Sequence, residues 1–222
     1  MTPRQYKEYA KAEEAERKER LQREAESWHL PLERGEESFH RALEAMKGWG
    51  LYQEDIPLII KLTENPNYRT ARHLGGAVDL FTHDCVHILL SRGILLKDEA
   101  FVIGFTMGSS KKMKRWRRNL FMFISKHLYP EGYKFGEEER FVFNAGVALG
   151  SQCPTDLTEV DFSKLLDYKI KGVREKLGLD IELLRCYNCI EKKIFPNSPE
   201  SQRLYNENSA PSALPEHPRR HE

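Results

Sequence analysis

The sequence predicts an all-α protein, a single-domain bundle of about six or seven helices with a charged N-terminal helical arm. Three observations lead to this. Apolar residues recur at three- and four-residue spacing in one segment after another. No long stretch alternates apolar and polar residues between hairpin turns. The segments are separated by Gly, Pro and Asn, the residues that stop helices. With 222 residues the chain can bury one good core. We divide it into an arm over 1–35, a helical metal-binding domain over 36–190 and a mobile polar tail over 191–222.

The formal charge is +1 with 31% charged residues, so no global field argues for nucleic acid, and no nucleic-acid partner is expected. Cys85, Cys153, Cys186 and Cys189 are too few and too unevenly spaced for a disulfide framework. No run of 18 or more apolar residues appears. The N-terminus is rich in Glu and lacks transit-peptide character. From these features we expect a cytoplasmic protein, at most peripheral to an inner membrane.

Taken in order, Tyr6 to Ser27 is dense in Ala, Glu, Lys and Arg with opposite charges three or four apart, which favours a solvated helix with almost no apolar face. After Pro31 and Gly35, Glu36 to Lys47 carries Phe39, Leu43 and Met46 at helical spacing and ends at Gly48. Pro57 opens a short apolar helix closed by Asn65-Pro66, and Asn67 caps the next segment before Gly75-Gly76. The central helix is expected over Ala77 to Arg92, stopped at Gly93. The next should begin near Asp98, whose side chain can cap it.

Ser109 to Arg118 reads SSKKMKRWRR and leads into NLFMFISKHLY. Lys111, Lys112, Lys114, Arg115, Arg117 and Arg118 could meet anionic headgroups while Trp116, Leu120, Phe121 and Phe123 enter the acyl boundary. An ordinary core helix burying Phe121, Ile124 and Leu128 competes with that reading. Glu137 to Gly150 has acids in its first turn and small residues at Ala145, Gly146 and Gly150, which suit close helix packing or a slender lipid tail. A helix from Asp161 to Leu177 ends at Gly178. Cys186 and Cys189 form a lone Cys-x-x-Cys on a terminal helix, and from Pro196 the sequence is polar and proline-rich.

The densest chemistry lies between Thr82 and Gly108. His83 and His87 stand one turn apart on one helical face, so both imidazoles can reach one divalent cation. Asp84 lies about 100° around the helix from His83, where it can bind the same ion, act as a base or orient His87. Glu99, in the first turn of the next helix, can return beside them across a helical hairpin. Two His with one or two carboxylates leave coordination for water or substrate and suit one divalent ion: zinc first, with iron(II) or cobalt(II) compatible. A rival grouping, like that of HD phosphohydrolases, would use His73 with the His83-Asp84 pair and Asp156 or Asp161, but gives no role to His87 or Glu99.

The pattern His83-Asp84-x-x-His87, eleven residues, then Glu99 resembles the metal-ligand signature of the coenzyme Q biosynthesis decarboxylases acting on 4-hydroxy-3-methoxy-5-polyprenylbenzoate. Asp167 to Leu179, DYKIKGVREKLGL, is similar to that family's C-terminal helix with its Arg-Glu-x-Leu-Gly sequence. The resemblance spans about Pro57 to Leu179. It implies a metal-dependent carbon-carbon lyase in which His83, His87, Glu99 and Asp84 serve the metal, with Asp84 and Glu99 as catalytic carboxylates. It further implies a prenylated aromatic substrate, an anionic membrane surface nearby, and a homodimer or biosynthetic complex. A non-catalytic prenyl-lipid scaffold is the alternative from another class.

Overall fold

The structure, a computed structural model, describes residues 28–47, 78–129 and 134–204. Among them are eight α-helices and no strand. They are α1 (Phe39–Lys47), α2 (Leu80–Leu90), α3 (Leu96–Ser109), α4 (Arg115–His127), α5 (Glu137–Gly150), α6 (Ile170–Leu177), α7 (Ile181–Ile194) and α8 (Pro199–Gln202). The all-α prediction therefore holds. The expected arm helix, the two segments after Pro57 and the Gly75-Gly76 pair lie outside the described residues.

Helix α2 is central because its last six residues, Cys85 to Leu90, are buried on every side. Cys85, Val86, Ile88, Leu89 and Leu90 have no exposed surface, the condition expected of a helix without a polar face. It starts later than its sequence suggests, with Asp79 as N-cap accepting from the Thr82 amide at 2.7 Å. It also ends earlier. Ser91 takes the left-handed conformation (φ 53°), with its N–H on the Ile88 carbonyl and the Arg92 N–H on the His87 carbonyl. This is a Schellman termination with Ser where Gly is usual. Arg174 of α6 stabilises it, donating to Ser91 Oγ (2.7 Å), the Leu89 carbonyl (2.9 Å) and the Leu32 carbonyl (2.7 Å). The guanidinium thus satisfies carbonyls at the negative end of the helix dipole.

Helices α3 and α5 form the most extensive interface among the described helices. A Cβ added at Gly104 or Gly108 would lie 2.3 Å from the Phe143 or Val147 carbonyl oxygen. One added at Gly146 or Gly150 would lie 2.5 or 2.2 Å from those of Phe101 and Phe105. The pairs ascend together along both segments, so the helices run parallel, backbone against backbone. Small residues allow this approach, and the small face of α5 is used for helix packing.

Three further boundaries differ from the sequence reading. The helix expected from Asp161 is instead a 3-10 turn (Phe162–Leu165) followed by α6. The intervening backbone turns aside to bond residues 37–39: Phe39 N–H donates to the Tyr168 carbonyl and Ile170 N–H to that of Glu37. In the arm assigned to 1–35, Trp28, Leu30 and Leu32 are buried at 2–3% exposure. Their period of two, in non-helical backbone, packs that end of the segment onto the core. The tail expected from 191 is ordered through Leu204, because α7 runs to Ile194 and α8 follows. Polar residues dock α8: Ser201 Oγ donates to Glu191 (3.0 Å) and Gln202 to the Lys192 carbonyl (2.8 Å). Hydrophobic periodicity carries no sign of such an attachment.

Candidate metal centre

His83 and His87 project from α2, and Glu99 from the first turn of α3, across the five residues that join the helices. Helix α3 begins at Leu96, not at Asp98. Asp98 closes that start from inside, its Oδ2 accepting from the Leu95 amide (3.2 Å). Glu99 is thereby turned back toward α2. Its Oε2 lies 3.2 Å from His83 Nε2 and its Oε1 3.3 Å from His87 Nε2. The imidazole centroids are 4.6 Å apart at 68°.

These three are the residues that converge. One donor atom from each lies within 4.8 Å of the others, close enough to share an ion. Asp84 is not a member of this group. For the rival grouping, His73 lies outside the described residues. Asp156 is engaged with Ser110 and Thr158, and Asp161 with Ser163 and Lys164. Neither joins His83.

The hydrogen bonding of His87 leaves one ring nitrogen to face the cluster. Its Nδ1 lies 2.7 Å from the Gly93 carbonyl oxygen. A carbonyl only accepts, so Nδ1 carries the proton and donates. The other ring nitrogen, Nε2, then faces the Glu99 carboxylate, 3.3 Å from Oε1. The separations of 3.2 and 3.3 Å exceed the roughly 2.7–2.9 Å of a direct charge-assisted hydrogen bond. Each is measured to a different Glu99 oxygen, and one donor atom from each of the three residues lies within 4.8 Å of the others, a spread that one ion can draw together. The residues present therefore fit a divalent ion.

The site is closed behind and open in front. His87 is fully buried, whereas the His83 and Glu99 side chains keep 18% and 31% of their surface. Burial pushes the Glu99 carboxyl up, but the positive charge of the facing His87 and His83 rings in their protonated form outweighs it and holds the group well below the usual carboxylate range. It is an anion ready to bind a cation.

Around this centre lies charge that the motif did not reveal. Arg92, with no exposed surface, donates to Glu191 at 3.0 and 2.9 Å and to Asn188 at 3.1 Å, and lies 3.8 Å over the Phe101 ring. Burial alone would lower its pKa; Glu191 more than restores it. Asp98, likewise buried, pairs with Arg203, and burial raises its pKa against the pull of Arg203 and Arg92. His29 donates through Nε2 to the Ser91 carbonyl (3.2 Å), and burial followed by Arg203 lowers its pKa to about 3. The signal for Arg92 and Asp98 was present as charges inside otherwise apolar segments. For His29 and Arg203 no local signal exists.

The basic segment divides by face. Phe121 is buried against Phe143, their rings stacked at 5.6 Å. It cannot enter a lipid boundary as the sequence suggested, because it fills a core cluster with Tyr129 and Phe135. Trp116, Leu120 and Phe123 point outward with 56, 39 and 57% exposure, and so does Leu128, which an ordinary core helix would have buried. Lys111, Lys112, Lys114 and Arg115 are exposed, while Arg117 and Arg118 are half-buried. Cys153 is buried, Cys186 exposed and Cys189 half-buried, and no metal group among the described residues includes them. No helix among the described residues is long and apolar enough to cross a membrane.

Helices α2 and α3 thus define a helical protein with a His-His-Glu group able to hold a metal ion. Comparison with protein-family models, curated proteins and solved structures finds no significant match to this chain.

Proposed function

We propose that the protein is a metal-dependent decarboxylase of a prenylated hydroxybenzoate, with His83, His87 and Glu99 as its metal ligands. The observation that carries this reading is the convergence of His83, His87 and Glu99 on one partly open site. When bound, a divalent ion supplies Lewis acidity that stabilises carboxylate and phenolate charge as the ring carboxyl leaves. The protein contributes the anchored His87 ring, an ionised Glu99 and the partly exposed side of the cluster formed by His83 and Glu99. Asp84, next to His83 in sequence but outside the converging group, is assigned a proton-transfer role only by the family pattern. Zinc, iron(II) and cobalt(II) all suit the donor set.

The outward stripe of α4 supports a membrane-facing role within the same reading. Trp116, Leu120 and Phe123 among exposed Lys and Arg suit the boundary of an anionic bilayer, where a prenyl tail resides. That stripe serves a prenyl-lipid scaffold equally well, so activity must decide. Metal-loaded protein incubated with carboxyl-labelled prenylated hydroxybenzoate should release carbon dioxide, and Glu99→Ala should abolish release while vesicle binding persists. Vesicle binding without turnover by the native protein would leave the scaffold.

A further inference from the structure

Arg203 lies at the end of α8, remote in sequence from the two ligand-bearing helices, yet it touches both of their supports. Its Nη2 pairs with Oδ2 of Asp98, the residue preceding Glu99. The same guanidinium lies against Gly93, whose carbonyl fixes His87 Nδ1. A Cβ added at Gly93 would be 2.0 Å from Arg203 Nη2 and 2.8 Å from the Trp28 carbonyl oxygen, so Gly93 is bare because the cation occupies that space. The φ of Gly93 is not positive, and left-handed geometry therefore does not explain the glycine. The Arg203 side chain is only 14% exposed and Asp98 not at all.

We infer that Arg203 is a positioning residue for the metal centre, a latch that sets the His87 and Glu99 ligands relative to each other by holding Gly93 and Asp98 together. One planar cation spans the carbonyl-bearing loop and the first turn of α3. Its removal frees the loop to shift and leaves Asp98 buried without its direct ion-pair partner. Groups behind a ligand typically change metal affinity 10- to 100-fold when lost. Through this contact, docking of α8 is linked to the metal site. The inference rests on the metal-centre reading above, and its test separates the two.

Cobalt(II) binding would be measured by chelator competition and visible absorption for the full chain, Arg203→Met, Arg203→Lys and Asp98→Asn, with circular dichroism confirming a folded state. The latch predicts that Arg203→Met binds at least about tenfold more weakly with altered d–d bands. Arg203→Lys should recover part of the affinity, because it keeps the charge on Asp98 but not the planar cover of Gly93. Should Arg203→Met fail to fold, Arg203→Lys and Asp98→Asn must still show the weaker affinity and altered bands. Native affinity and bands in the folded variants would overturn the latch while leaving the metal reading intact. No cobalt uptake by the native chain would overturn both.

Discussion

His87 is held by one ring nitrogen and offered by the other, and that division of labour gives the site its chemistry. The residues behind it are as constrained as the ligands. Gly93→Ala would drive a methyl into Arg203 and the Trp28 backbone. It should destabilise the fold by about 1–3 kcal/mol, the usual range for overpacking, read as a lower denaturant midpoint with unchanged slope. His29 makes the pH dependence testable. Its folded pKa, about 3, lies below the ordinary value of 6.5, so only the unfolded chain takes up its proton between those values. The contribution is complete above pH ~6.5 and declines as pH falls toward 3, at up to about 1.4 kcal/mol per unit. Denaturant titrations at pH 7, 6 and 5 should show a steeper loss for the native chain than for His29→Gln. Parallel profiles would mean that His29 protonates without cost.

The parallel α3–α5 pair anchors Glu99. Gly104→Ala places a Cβ 2.3 Å from the Phe143 carbonyl oxygen, in backbone that cannot turn away. The helices must separate, and thermal unfolding should fall by several degrees as packing and the first turn of α3 loosen together. An unchanged midpoint would show that the contact tolerates a methyl. On α4 the outward stripe predicts a salt-sensitive loss of affinity for anionic vesicles in Trp116→Glu/Phe123→Glu, measured by co-sedimentation. Phe121→Ala should instead lower stability, since its ring stacks on Phe143 in the core.

Across the whole molecule, buried charge joins the metal hairpin to the C-terminal helices. Arg92 and Glu191 are both fully buried. Arg92→Met strands the Glu191 carboxylate and should cost about 3–5 kcal/mol, whereas Arg92→Met/Glu191→Leu should cost much less. A double-mutant cycle in denaturant measures the difference. This architecture was only partly legible in the sequence. The bounds of α5, the burial of Phe39, Leu43 and Met46, and the convergence of His83, His87 and Glu99 follow from helical periodicity and spacing. The end of α2 and the start of α6 did not follow: one depends on Arg174 reaching from another helix, the other on backbone bonds to residues 37–39. The order through Leu204 was hidden because it rests on polar contacts between segments that no local pattern encodes.

The most direct test of the metal centre is the metal content of native protein, His87→Ala and Glu99→Ala, purified without chelator under metal-replete conditions with helicity verified. Close to one divalent ion per native chain, absent from both folded variants, is the predicted result. A metal-free native protein with the same helicity would contradict it, and His83, His87 and Glu99 would then be a buried polar network closed by a proton instead of a cation.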